Sequence, residues 1–329
     1  MRIPPVNIYS NKSGYITSEH KGRQSKAMQP YCSEPAFGAN MSKLAYQASL
    51  DYHFGQIHNI DPFRIEQYFA QNNIQAFFRE GTDYGKKMVA YCCYHASEIF
   101  KQLHYPQPRF VGIVDFRRIR DAETATGLSF YASQQISPYE VYRPLTAIFN
   151  TFYDKRPIYK KNGKEIPVDW EHFIEVMEES KNSGFLSTFH FMSPFIHEYA
   201  HNLHYHKIYS LKGAPEHIPG YKYNPNVLTD VFYKMNRDLY NPPKKTNYIA
   251  NYIAKYLPEA IAKDISYYGS TALPETFAEA FTKEVVQCLD PFSLRLVKNP
   301  FPMKSNNELI NKVLYETYEG LVGDGRGVV

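Results

Sequence analysis

The sequence predicts an α+β fold: a mixed helix-and-strand amino-terminal lobe and an all-helical carboxy-terminal lobe flanking a cleft. Three observations predict it. Short β-branched or aromatic runs bounded by turn residues are confined to the first half, helical spacing dominates from Ser193 onward, and Gly213, Pro215, Pro219 and Gly220 cluster between the two. The implied division is a flexible tail at 1–40, a first lobe at 41–206 and a second at 207–322. The chain has 329 residues, 43% hydrophobic and 21% charged, enough for one large core or two modest ones.

Residues 1–40 mix Ser, Lys, Gln, Asn, Pro and Gly without an apolar period, so order is expected to start near Met41. Asp61-Pro62 reads as a helix start, with an N-cap followed by a first-turn proline. A longer helix is predicted over 82–103, carrying Met88, Val89, Cys92 and Ile99 inward. The runs at 109–116 (RFVGIVDF), 127–133 (GLSFYAS) and 145–152 (LTAIFNTF) read as strands. Helical spacing returns over 168–181 and stops before Gly184. Further helices are predicted at 224–239, 247–257, 273–289 and 308–321.

The composition excludes several classes. A net charge of +4 from 37 basic and 33 acidic residues is too balanced to suggest nucleic acid as a partner. No apolar run reaches the ~18 residues of a membrane span. Four cysteines, two of them the adjacent Cys92 and Cys93, make no disulfide framework. The start, MRIPPVNIYSNKSG, lacks a secretory h-region, so the expected location is cytoplasmic or reached by export that reads no such signal.

Chemistry concentrates in S-P-F-I-H-E-Y-A-H-N-L-H-Y-H, beginning at Ser193. Ser193 is the expected N-cap and Pro194 a first-turn residue, with Ile196, Ala200 and Leu203 as the apolar side. His197 and His201 stand one turn apart, about 6 Å along the axis. Two imidazoles so placed reach one metal ion, and Glu198 beside them completes an H-E-x-x-H arrangement, two zinc ligands and a proton-accepting carboxylate. The plain alternative is a surface helix that carries two histidines.

A third ligand decides between these readings. His204 lies about 10.5 Å along the helix from His197, too far for one ion. His206 points elsewhere, and both are read as structural or solvent-facing. The longer pattern with Gly and a third His is excluded, because the positions it needs are His204 and Lys207. Downstream, Y-Y-G-S-T-A-L-P-E-T-F-A-E-A-F (267–281) predicts a helix with Phe277, Ala280, Phe281 and Val285 on its apolar arc. Glu275 and Glu279 fall one turn apart on its other side. Acidic residues near a helix start are favoured by the dipole alone. Two stacked carboxylates also suit a metal site, one binding the ion and the other holding a ligand histidine by its free N–H.

The pair H-E-Y-A-H and Y-G-S-T-A-L-P-E-T-F-A-E-A-F resembles the catalytic domain of anthrax lethal factor and its relatives, including the bacterial Pro-Pro endopeptidases. In that family a Tyr-Gly precedes the third ligand, and Tyr268 has the family's offset from Glu275. The resemblance covers about thirty residues in identifiable motifs. It implies a zincin-like fold and one zinc ion bound by His197, His201 and Glu275. It also implies Glu198 as general base, Tyr268 as oxyanion stabiliser and Glu279 behind the ligands. The implied activity is that of a zinc endopeptidase on a peptide or protein lying extended in the cleft. That substrate is expected to pair with an edge strand, either 127–133 or 145–152. The long separation of His201 from Glu275 departs from the family and implies an inserted helical segment around 209–257. Two other readings stand beside this one: a non-catalytic binding module on the same scaffold, against which the intact Glu198 argues, and a toxin-type effector that acts on a host protein by proteolysis.

Overall fold

The structure is a computed structural model. It describes residues 43–116, 177–212, 259–271 and 273–300, residues 307 and 310, and between 127 and 167 the strands alone. The tail at 1–40, the helices expected at 224–239 and 247–257, and Cys32 lie outside the described residues. So does all but one residue of the helix expected at 308–321.

Helix α1 (Lys43–His58) buries Leu50 and Ile57, but it also buries Ser49 and His53. Both polar side chains point to one acceptor: Ser49 Oγ and His53 Nε2 donate to the Pro291 carbonyl at 2.5 and 2.7 Å. Since Nε2 of His53 donates there, its Nδ1 accepts from the Tyr91 hydroxyl at 2.7 Å. Helix α2 (Pro62–Gln71) starts where the sequence predicts, with Asp61 accepting from the Phe63 N–H. The Glu66 carboxylate then accepts from the Phe78 N–H, which fastens the end of β1 (Gln75–Phe77) to α2. Helix α3 (Asp83–Gln102) is capped by Thr82, whose Oγ1 accepts from the Gly85 N–H. Met88, Val89, Cys92 and Ile99 are all fully buried on it.

Strands β2 (Phe110–Val114), β3 (Gly127–Phe130) and β6 (Thr146–Asn150) occupy the three predicted runs. With β1 they form one four-stranded sheet in the order β1-β2-β6-β3. β1, β2 and β6 run parallel, and β3 runs antiparallel to β6, Leu128 facing Ile148. Every residue of β2 is buried, as an interior parallel strand requires. Two hairpins also lie in this stretch, β4 (Gln134–Ser137) with β5 (Glu140–Tyr142) and β7 (Pro157–Lys161) with β8 (Lys164–Pro167). One expectation fails here. The 145–152 run is not an edge, because β6 sits between β2 and β3, whereas β3 has β6 as its single neighbour among the described strands.

The described part of the 168–181 run is helical from 177 to 182, and the chain then turns at Gly184 with φ of 77°. Helix α4 (Ser193–Lys212) follows and packs against α5 (Leu273–Val286), α3, β3 and β6. Ile196, Ala200 and Leu203 are buried on α4; Phe277, Ala280, Phe281 and Val285 are buried on α5. Tyr199 reaches the opposite way into α3, its hydroxyl 3.2 Å from the Cys93 carbonyl and 3.1 Å from Ser97 Oγ. Ser193 is not the N-cap. The chain enters through a turn in which the Met192 carbonyl already accepts from Phe195 and Ile196, so the cap falls one residue earlier and the buried Ser193 hydroxyl has no hydrogen-bond partner among the described residues. Cys92, Cys93 and Cys288 are buried free thiols. No described helix is long and apolar enough to cross a membrane.

Candidate metal centre

Helices α4 and α5 bring the two sequence motifs together. His197 and His201 lie one turn apart on α4, and their Nε2 atoms stand 3.1 Å apart. Glu275, in the first turn of α5, places Oε2 at 3.1 Å from Nε2 of His197 and 3.3 Å from Nε2 of His201. All three side chains are buried. The side chains of His204 and His206 lie outside the described residues.

The three atoms converge on a point that one cation could share. Two imidazole nitrogens and a carboxylate oxygen are the donor set of a borderline divalent metal, so the residues fit such an ion. Without a cation the same atoms hold a proton. Burial disfavours a charged His197, yet its hydrogen bonds to Glu275 and Glu279 outweigh burial and raise its pKa well above the usual histidine range. Burial likewise opposes ionisation of Glu275, but the charges of His201 and His197 hold it well below the usual carboxylate range. Glu275 therefore stays ionised and keeps a negative oxygen at the point the three atoms share.

Glu279 stands behind His197. Its Oε1 lies 3.1 Å from Nδ1, on the side of the ring away from Glu275. Its Oε2 accepts from the Ser187 N–H at 2.7 Å and the Ser266 hydroxyl at 2.9 Å. A carboxylate acceptor at Nδ1 means that Nδ1 carries hydrogen, which leaves Nε2 to face the centre.

Glu198 is buried beside the histidines, and burial raises its pKa, partly offset by the neighbouring His201 and His197. Its side chain lies against the start of β3. A Cβ on Gly127 would come within 2.6 Å of Glu198 Cγ and 3.1 Å of its Oε1. The same strand is clamped to α4 farther along. The Ser129 hydroxyl donates to the Glu198 carbonyl at 2.8 Å, and Asn202 Nδ2 donates to Ser129 Oγ, the Thr146 carbonyl and the Glu198 carbonyl.

Tyr268 is half-buried, with its ring centroid 5.9 Å from that of His197. Tyr267 is 60% exposed, so of the two adjacent phenols only Tyr268 is half-buried beside the histidines. Backbone bonds from Tyr267 to Gly184 and from Tyr268 to Phe185 hold this segment against the turn after residue 182. Sequence reasoning did not single out Ser187, Ser266, Gly127, Ser129 or Asn202 for the site. Asn202, next to His201, carried the one local signal, a polar residue inside an otherwise buried helix turn. No protein family, curated protein or solved structure matches the chain.

Proposed function

We propose that the protein is a zinc-dependent endopeptidase of the kind its two motifs resemble. The observation that carries this reading is the mutual spacing of His197, His201 and Glu275, 3.1–3.3 Å between donor atoms. Tetrahedral ligands at about 2.0–2.1 Å from zinc stand about 3.3–3.4 Å from each other. Three protein donors with a base beside them suit a catalytic site, whereas a structural zinc takes four. When bound, zinc supplies a Lewis acid that polarises a carbonyl and makes water acidic near neutral pH.

The chain's own groups do the rest. Glu198, buried beside the two histidines, accepts the proton of the attacking water and returns it to the departing amine. Glu279 keeps the His197 ring turned toward the centre. The Tyr268 phenol, beside the His197 ring, is assigned to the oxyanion, a donor whose loss commonly costs about 10²–10³ in turnover. β3, which has no strand on its outer side among the described residues, offers backbone hydrogen bonds to an extended polypeptide at the strand that touches Glu198.

The test is hydrolysis of a peptide library by the full chain, with and without chelator, beside the variant Glu198→Gln. Expected is cleavage that chelator abolishes, and a variant that retains one zinc per chain but no cleavage. Full activity in Glu198→Gln ends the general-base assignment. A wild type that holds zinc and cleaves nothing ends the peptidase reading in favour of a binding module.

A further inference from the structure

One buried hydroxyl lies between the two halves of the candidate site. Ser266 is 1% exposed and uses both its hydrogen-bonding capacities. It donates to Oε2 of Glu279 at 2.9 Å, and its oxygen accepts from the Gly269 N–H at 2.9 Å. The first bond leads through Glu279 to Nδ1 of His197. The second closes the turn that carries Tyr268, a turn completed by Thr276, whose hydroxyl donates to the Gly269 carbonyl. Space around this hydroxyl is tight: a Cβ on Gly269 would stand 3.0 Å from Ser266 Oγ and 3.4 Å from Glu279 Cβ. The turn can settle on Ser266 and Glu279 because residue 269 has no side chain.

Glu279 is the residue that needs orienting. A glutamate has three rotatable bonds, and its carboxylate stays on His197 only while its other oxygen is held. Two donors hold that oxygen, the Ser187 N–H, which belongs to the backbone, and the Ser266 hydroxyl. The Ser187 side chain makes a different bond, from its hydroxyl to the Glu279 main-chain carbonyl at 2.9 Å. Two buried serines therefore contact the same glutamate, one at the carboxylate and one at the backbone. That contrast separates positioning from packing.

We infer that Ser266 is a positioning residue of the metal centre. Through the Glu279 carboxylate it fixes how His197 presents Nε2, and through Gly269 it locks the Tyr268 turn to the same carboxylate. The inference rests on the reading of His197 as a metal ligand. Its effect is on metal affinity first, since removing a partner behind a ligand histidine typically costs about 10–100-fold.

The experiment measures zinc and cobalt affinities of the full chain by competition with a chromophoric chelator, together with the visible spectrum of the cobalt form. Compared are wild type, Ser266→Ala, Ser187→Ala and His197→Ala, each checked by thermal melting. Expected are a loss of about tenfold or more and a shifted cobalt spectrum in Ser266→Ala, with Ser187→Ala within about twofold of wild type. If Ser266→Ala loses its cooperative melt, Ser266→Cys, a slightly larger side chain with a weak donor, is read in its place by the same outcomes. Wild-type affinity in the Ser266 variant overturns the inference. An equal loss in Ser187→Ala overturns it too, since packing would then explain both. A wild type that binds neither metal, or a His197→Ala variant that binds as tightly, overturns the metal reading itself, an outcome distinct from the other two.

Discussion

Gly127 is the residue whose smallness most constrains the site. With a Cβ there 2.6 Å from Glu198 Cγ, the glutamate must move or the strand must lift. Gly127→Ala is expected to cost about 1–3 kcal/mol by overpacking. On the proposed peptidase reading, displacement by about 1 Å can cost about 10²-fold in rate, so turnover should fall by about 10–100-fold while the metal stays bound. Steady-state kinetics paired with metal analysis checks this, and an unchanged kcat would mean that the contact does not set the position of Glu198. Glu275 and Glu279 of α5 separate in the same way. Glu275→Ala removes an atom 3.1–3.3 Å from both histidines, whereas Glu279→Ala removes one that touches only the far side of His197. On the proposed reading, after loading with zinc and dialysis against a weak chelator, the Glu275 variant should retain far less of it. The opposite order would mean that the two roles are exchanged.

At the scale of elements, the clamp between α4 and β3 carries the fit of strand to helix. Asn202→Ala removes the amide nitrogen that reaches Ser129 Oγ, the Thr146 carbonyl and the Glu198 carbonyl inside a buried interface. The expected cost is about 1–3 kcal/mol, read as a lower urea midpoint with an unchanged m value. Much of this level was legible in the residues themselves. The cap at Asp61, the extent of α3, the apolar arcs of α4 and α5 and the runs that became β2, β3 and β6 are local patterns. What escaped has a common physical origin. β1 is three residues long and half-exposed, too short for alternation to show. α1 buries Ser49 and His53 beside Leu50 and Ile57, so no apolar stripe marks it. Ser266 and Glu279 meet across a turn, and Gly127 meets Glu198 across a sheet edge, and no spacing along the chain encodes either contact. The rank order of strands was equally hidden, and it is what removed the 145–152 run as an edge.

Across the whole molecule, acid sensitivity follows from three histidines held neutral. Burial lowers the pKa of His53, pushes His95 down to about 4 and pushes His190 down to about 3, with the charge of His53 adding to the last two. Asp290 facing His53, and Glu98 and Arg295 facing His95, only modulate this. The unfolded chain protonates these rings near the ordinary value of 6.5, and the folded one does so only at lower pH. Their contribution is thus complete above about pH 6.5 and is lost as pH falls toward the lowered values, by up to about 1.4 kcal/mol per unit per histidine. Urea unfolding at pH 7.5 and pH 5 should show that decline, and His95→Gln should flatten it; equal stability at both values would refute it. The Pro291 carbonyl that receives Ser49 and His53 has a temporal consequence as well. Its partners precede it by 242 and 238 residues, which at about 5–20 residues per second is roughly 10–50 s of synthesis. A nascent α1 leaves the ribosome long before its clasp exists, so it waits, available to chaperones, until the far end of the fold arrives to close over it.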